Sequence, residues 1–424
     1  PGLEEALRRE LQPLVGAESR TNGAAFSLGL AFGAGAGAAS RVSLELVAGS
    51  AVAPDGRSGA PVAEGDMYAL GSVAKTFTGA GIMQLVAKGA ISLDDHAHRY
   101  VDPMLKRGGY RFKSMEEIFR PSWDHSGPSF NASNITVREL MHMDSGIKDY
   151  DTDAFRDFQY RHGGVDITPF DILDWVQGPL AFEPGAPPRG SFSYCSVNFV
   201  VLGLVLAFHA GAADWAAFDQ GGVVPPGLGR RMRNYTFAKR GPCSAYTRVH
   251  GFDATTAGQT RDISNVSCVG GWTAGNAVLS AGAAAEWVRA LYGPGGEVVP
   301  EALVKEMLPA TGEFYGLATM GLTGFVGTGI GDYGVAFGHL GDTYGFQSII
   351  AYFPKLDVGL SVMTNHEDRL QRGPSALLCT AYNRALDLVL HQPLRNCSYV
   401  KEKYYFGRCQ CSQGRSGTGA ALVV

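Results

Sequence analysis

The sequence lacks an apolar run long enough to cross a membrane. Its longest uninterrupted stretch, Phe199 to Phe208, falls well short of the roughly 20 residues a spanning helix needs. It also lacks any run of Lys and Arg, and charged residues make up only 18% of the chain. A nucleic-acid partner is therefore not expected. With 36 basic and 40 acidic residues, the net charge of −4 is small for 424 residues. No CxxC pair and no His/Cys cluster has zinc-site spacing, so no metal and no cofactor is expected. No internal repeat is evident. No signal peptide is visible either, since Pro1 leads directly into an amphipathic stretch with Leu3, Leu7, Leu11 and Leu14.

What is present is globular. An apolar content of 45% can bury a substantial core in one large domain or two or three smaller ones. Asparagine is scarce, yet five of the ten asparagines open an Asn-x-Ser/Thr sequon: Asn131, Asn134, Asn234, Asn265 and Asn396. That excess points to a secreted, extracellular glycoprotein with N-linked glycans, made in a eukaryotic secretory pathway with its signal peptide already removed. The seven cysteines agree. Cys243, Cys268, Cys379, Cys397, Cys409 and Cys411 could form three disulfides, with Cys195 as a buried odd thiol.

Strand-like segments gather at the two ends of the chain. Ala25 to Phe32, Arg41 to Ser50 and Met67 to Leu70 come early. Tyr315 to Thr319, Val335 to His339, Phe346 to Phe353 and Val358 to Thr364 come late, before a helix over Ser375 to Leu390. The middle is helical and loop-rich, with helices expected over Val137 to Met143, Pro169 to Gln177, Ser196 to Ala210 and Ser280 to Tyr292. The pattern predicts an α+β sandwich. Residues 1–90 and 280–395 would form a mixed subdomain around an antiparallel sheet flanked by N- and C-terminal helices. An all-helical, loop-rich insert would span 91–279, and 396–424 would form a cysteine-containing tail. The cleft between the parts is the expected site.

One motif carries chemistry. In Ser72-Val73-Ala74-Lys75 the serine and lysine share one helix face. A strand end and Gly71 precede it. Apolar residues at helical spacing follow it: Phe77, Ile82, Met83, Leu85 and Val86. A serine at a first helical turn lies near free backbone N–H groups, and a neighbouring amine can activate it. Ser398-Tyr399-Val400-Lys401 has the same spacing but no apolar helix behind it. Two more segments complete a constellation: Tyr194-Cys195-Ser196 before an apolar helix, and Gly338-His339-Leu340-Gly341-Asp342 on a late strand. Glu183 reads as a loop-anchoring carboxylate, and Asp94 and Asp95 as capping residues.

The order Ser-x-x-Lys, Tyr-x-x, His-x-Gly resembles the serine β-lactamase-like hydrolases. These include class C β-lactamases, D-alanyl-D-alanine carboxypeptidases, and related esterases and D-aminopeptidases. Connecting phrases are similar too: Gly89 to Asp95, Ile135 to Gly146, Phe182 to Gly185, Gly270 to Ala274 and Gly338 to Ser348. The resemblance spans roughly residues 3 to 390. It implies Ser72 as the acylated nucleophile, Lys75 as its partner, and Tyr194 as general base and then acid. It implies an oxyanion hole from the backbone N–H groups of Ser72 and Asp342, with Ser196, His339 and Gly341 contacting substrate. The family's Tyr-x-Asn is here Tyr194-Cys195-Ser196, and His339 stands where many members have lysine. Both departures weaken recognition of a substrate carboxylate or amide. The expectation is a secreted hydrolase acting through an acyl-serine on a small ester, amide or D-peptide. The alternative is an extracellular β-lactamase-like protein with a structural or interaction role. Assembly partners or self-association, and weak or lost catalysis, would go with it.

Overall fold

The computed structural model describes residues 2–34, 41–55, 57–119, 131–177, 189–255, 259–311, 313–325, 331–368 and 371–397. The Phe182 to Gly185 phrase with Glu183, the second Ser-x-x-Lys copy, Cys409 and Cys411 lie outside these residues. Six strands form the main sheet: β1 (Phe26–Phe32), β2 (Val42–Ala48), β3 (Met320–Gly321), β4 (Phe337–Thr343), β5 (Phe346–Phe353) and β6 (Val358–Thr364). Their order is β2-β1-β6-β5-β4-β3, and every neighbouring pair is antiparallel. The first strand therefore pairs with the last, which builds the sheet from both chain ends.

Of the helices among the described residues, six frame the sheet and the site: α1 (Leu3–Asn22), α2 (Ala74–Ala87), α3 (Asp153–Arg161), α4 (Val197–His209), α5 (Ala281–Tyr292) and α6 (Arg372–Leu390). α1 buries Leu7, Leu11 and Val15 along one stripe and stops at Gly23, whose φ of 59° is left-handed. α1 and α6 cover one face of the sheet, and α5 covers the other. Being covered on both sides explains why β1, β5 and β6 are buried at every position and read as continuous apolar runs. Gly29 sets the spacing on the α5 face, because a Cβ there would lie 2.1 Å from the Ala281 carbonyl oxygen.

Three sequence expectations need correction. Tyr315 to Thr319 is not a strand. Tyr315 makes a single bridge to Met320, and Ala318 turns the chain with a φ of 56°. The strand expected at Val335 to His339 instead runs Phe337–Thr343, so all of His339 to Asp342 lies in the sheet. The insert is not purely helical. Its strands Tyr235–Phe237 and Ala277–Leu279 pair with each other, and Tyr68–Ala69 adds to the latter. Among the described residues two disulfides are present, Cys243–Cys268 and Cys379–Cys397, and Cys195 is a buried thiol outside them. Among the described residues no helix is long and apolar enough to cross a membrane.

Candidate active site

The site begins where Tyr68–Ala69 ends. Gly71 takes a φ of 54° and opens a tight turn, Gly71–Val73, that runs straight into α2. This turn is pressed onto β4. A Cβ on Gly71 would lie 2.9 Å from the Asp342 nitrogen, and one on Gly341 would lie 1.8 Å from the Leu70 carbonyl oxygen. Ser348 on β5 fixes that same carbonyl, its Oγ donating to Leu70 O at 2.9 Å. Glycine at 71 and 341 is what lets the Ser72 turn approach the Asp342 backbone. Gly341→Ala is therefore expected to push the turn off β4 and cost about 1–3 kcal/mol, read as a lower melting temperature.

Ser72 is partly exposed at the start of α2, while Lys75 one turn on is fully buried. Lys75 Nζ donates to Ser72 Oγ at 2.8 Å and to the Ala274 carbonyl at 3.1 Å. The turn carrying Ala274 is clamped in place. Thr78 Oγ1 donates to Thr273 O at 2.7 Å, and Thr273 Oγ1 donates to Phe199 O at 2.8 Å. Burial pushes the Lys75 ammonium down from the ordinary lysine range to about 8, against the opposing pull of Asp149, then Asp151 and Cys195. A neutral amine is thus within reach near physiological pH.

Tyr194 arrives from the loop before α4. That loop lies along residues 143–149. Gly190 N donates to Asp144 O at 2.7 Å, Ser193 N to Met143 O at 2.8 Å, and Cys195 N to Met143 Sδ at 3.4 Å. Ser196 N donates to Asp149 Oδ2 at 2.9 Å. The Tyr194 ring centroid lies 5.1 Å from Lys75 Nζ, and its hydroxyl hydrogen-bonds Ser72. Burial, with Asp149 and Asp151 nearby, pushes the phenol well above its ordinary range, despite the bond to Ser72. Tyr194 therefore rests as a neutral phenol. Asp149 is the residue the sequence did not reveal. It lies three positions beyond Gly146 in a loop without periodicity, and its partner Ser196 is 47 residues away.

Two of the three expected substrate contacts look different in place. His339 has no exposed surface. Its Nδ1 faces Leu340 O at 2.6 Å, and its Nε2 lies 3.1 Å from the Tyr315 hydroxyl. Burial, then the Lys75 charge, pushes it down to about 3, so it is neutral. It is a packed strand residue, not a surface awaiting a carboxylate. At Gly341 the close approach is made by the Leu70 carbonyl. Ser196 does line the cleft.

The cleft in front of Ser72 measures about 50 Å³, with Lys75, Tyr150, Asp342, Tyr344 and Glu367 among its walls. That is small beside typical ligand pockets of about 300–1,000 Å³. One wall is an internally compensated charge cluster. Arg156 on α3 pairs with Glu367 at 2.7 Å and with Asp253 at 3.6 Å. Burial, with Asp342 and Asp253 close by, pushes the Glu367 carboxyl upward against the pull of Arg156. Among the described residues no cluster of His, Cys, Asp and Glu could hold a metal ion.

Comparison with known proteins gives the same architecture. A D-stereospecific amidohydrolase from Streptomyces sp. superposes with a TM-score of 0.62 at 21% identity, covering 86% of this chain and 94% of its own. The D-amino acid amidase from Ochrobactrum anthropi SV3 gives 0.63 at 18% identity, covering 91% and 98%. The octameric penicillin-binding protein homologue from Pyrococcus abyssi gives 0.63 at 19% identity, covering 91% and 77%. These likenesses show a shared β-lactamase/transpeptidase-like fold. The model of the Beta-lactamase family matches residues 33–378, the span that holds the Ser72 turn, the Tyr194 loop and β4. The chain therefore belongs to the Beta-lactamase family, whose serine hydrolase fold it shares.

Proposed function

We propose that the protein is a secreted serine hydrolase that cleaves small neutral esters or amides, D-configured ones included, through an acyl-enzyme on Ser72. The observation that carries this reading is the 2.8 Å contact from Lys75 Nζ to Ser72 Oγ, made by a buried amine held near a pKa of 8. In the neutral form Lys75 takes the Ser72 proton as Oγ attacks the substrate carbonyl carbon. The backbone N–H groups of Ser72 and Asp342 receive the developing oxyanion. Tyr194, a neutral phenol bonded to Ser72, gives its proton to the leaving group and is reprotonated from the Lys75 ammonium, so both groups return to their neutral forms. Water then attacks the acyl-serine, and the same groups return the proton to Oγ. The proton-accepting role moves from Tyr194 to Lys75 because burial keeps the phenol protonated.

Substrate preference follows from charge. His339 is neutral and Arg156 is engaged by Glu367, so neither offers a cation to a substrate carboxylate. The intact Ser72–Lys75 pairing favours catalysis over a purely structural role. The test is stopped-flow hydrolysis of p-nitrophenyl acetate, followed by amides of D- and L-amino acids and carboxylate-bearing penicillins. A burst of p-nitrophenolate matching the enzyme concentration, and neutral substrates preferred to penicillins, are expected. No turnover of any of them would overturn the reading.

Secretion has its own support. All five sequon asparagines, Asn131, Asn134, Asn234, Asn265 and Asn396, are exposed. Protein collected from the medium of eukaryotic cells is expected to lose mass on treatment with peptide-N-glycosidase F. An unchanged mass would contradict it.

A further inference from the structure

The charges around Lys75 come from three directions. Tyr194 and Cys195 face it from the loop before α4, and His339 and Asp342 lie on β4. Asp149, Tyr150 and Asp151 come from the segment after Met143. Of the neighbouring charges Asp149 weighs most on Lys75, ahead of Asp151 and Cys195. Asp149 is also tied by hydrogen bond to the Tyr194–Ser196 loop. Its Oδ2 accepts from Ser196 N and its Oδ1 from Tyr150 N, both at 2.9 Å.

We propose that Asp149 is a positioning residue of this site. Its carboxylate anchors the Tyr194–Ser196 loop beside α2, and its charge sets the proton balance of the Lys75 amine. The assignment rests on the reading of Ser72 as nucleophile and Lys75 as its base. The physical case has two parts. A buried ammonium with no carboxylate nearby loses its proton far too readily to stay poised near neutral pH. A buried carboxylate beside it restores part of that affinity, and the two titrate as a pair. Burial and Asp151 push the Asp149 carboxyl up, while the Lys75 charge pulls it back down. The backbone bond from Ser196 means the same carboxylate that tunes the base also holds the proton donor. Neither role requires contact with substrate.

Asp149→Asn removes the charge and keeps a carbonyl acceptor for Ser196 N. Two readouts decide the proposal. The first is the titration of Lys75 by NMR in protein carrying labelled lysine, with the resonance assigned by its loss in Lys75→Met. The Lys75 midpoint is expected to fall by about one pH unit or more in the variant, as it must when an opposite charge is deleted. The second is the rate of Ser72 modification by a fluorophosphonate between pH 5 and pH 10, whose acid limb is expected to move down by the same amount. Asp151→Asn should shift both by less. An unmoved Lys75 midpoint overturns the proposal, even if labelling slows, because a purely structural anchor would slow labelling without moving the titration. Asp149→Ser, a second neutral acceptor, gives the same readouts where the amide does not fold. Failure of the wild type to label at Ser72 would sink the nucleophile assignment instead, and the NMR midpoint would still decide the role of Asp149.

Discussion

Replacing Ser72 with alanine is expected to abolish ester and amide turnover, by on the order of 10⁶-fold, as for removal of an acyl-transfer nucleophile. The argument is local. Ser72 Oγ is the oxygen that Lys75 Nζ contacts at 2.8 Å, and Ser72 keeps part of its surface in the cleft. Ser196 also lines the cleft, but the hydrogen bonds of Lys75 go to Ser72 Oγ and to Ala274 O. Removing Oγ also leaves the fold intact. Lys75 retains its bond to Ala274 O, and the turn retains its packing on β4. Circular dichroism and melting temperature should match the wild type while p-nitrophenyl acetate turnover falls to background. Retained turnover in a folded Ser72→Ala protein would move the nucleophile elsewhere.

The second large effect is expected from Lys75→Met, which keeps the unbranched apolar stem, one atom shorter, and removes the amine. Turnover should fall by about 10²–10⁴-fold, the usual contribution of a positioned general base. Stability should respond in a way that only this lysine explains. The Lys75 value is depressed on folding, so between about pH 8 and the ordinary lysine value of 10.5 the unfolded chain holds a proton that the folded chain has released. Stability contributed through Lys75 therefore rises with pH across that window, and the cost of burying the ammonium is fully present below pH 8. The integrated change is about 3 kcal/mol at most. In Lys75→Met the part of the slope that comes from this amine should be missing, leaving that of the other titrating groups. At neutral pH the variant escapes the cost of burying the ammonium, offset in part by Asp149, which loses its neighbouring cation. Denaturant melts at pH 8 and pH 10 measure the difference. A wild-type slope equal to that of the variant would show that the amine is not buried and depressed as described.

Where the chain's information is local, the fold was legible. The continuous apolar runs of β5 and β6 and the stripe of α1 follow from period and burial. Ser72 and Lys75 were legible because three residues on a helix bring two side chains to one face. The strand expected at Tyr315 to Thr319 failed because apolar content does not report φ. The left-handed turn at Ala318 breaks the extended chain. The site's electrostatics were hidden for another reason. Arg156 meets Asp253 and Glu367 across roughly one hundred and two hundred residues of sequence, and Asp149 reaches Ser196 through a loop. No spacing rule encodes such pairings. His339 showed the same limit: its position on β4 was readable, but its burial against Tyr315 was not.

The central claim is that Ser72 forms the covalent intermediate. Its most direct test is peptide mapping by mass spectrometry of protein quenched in acid during turnover of p-nitrophenyl acetate. The account predicts a single acetyl group on the peptide that contains Ser72, lost in Ser72→Ala and scarce in Lys75→Met. An acetyl group on another residue, or steady turnover with no trapped adduct on Ser72, would contradict it.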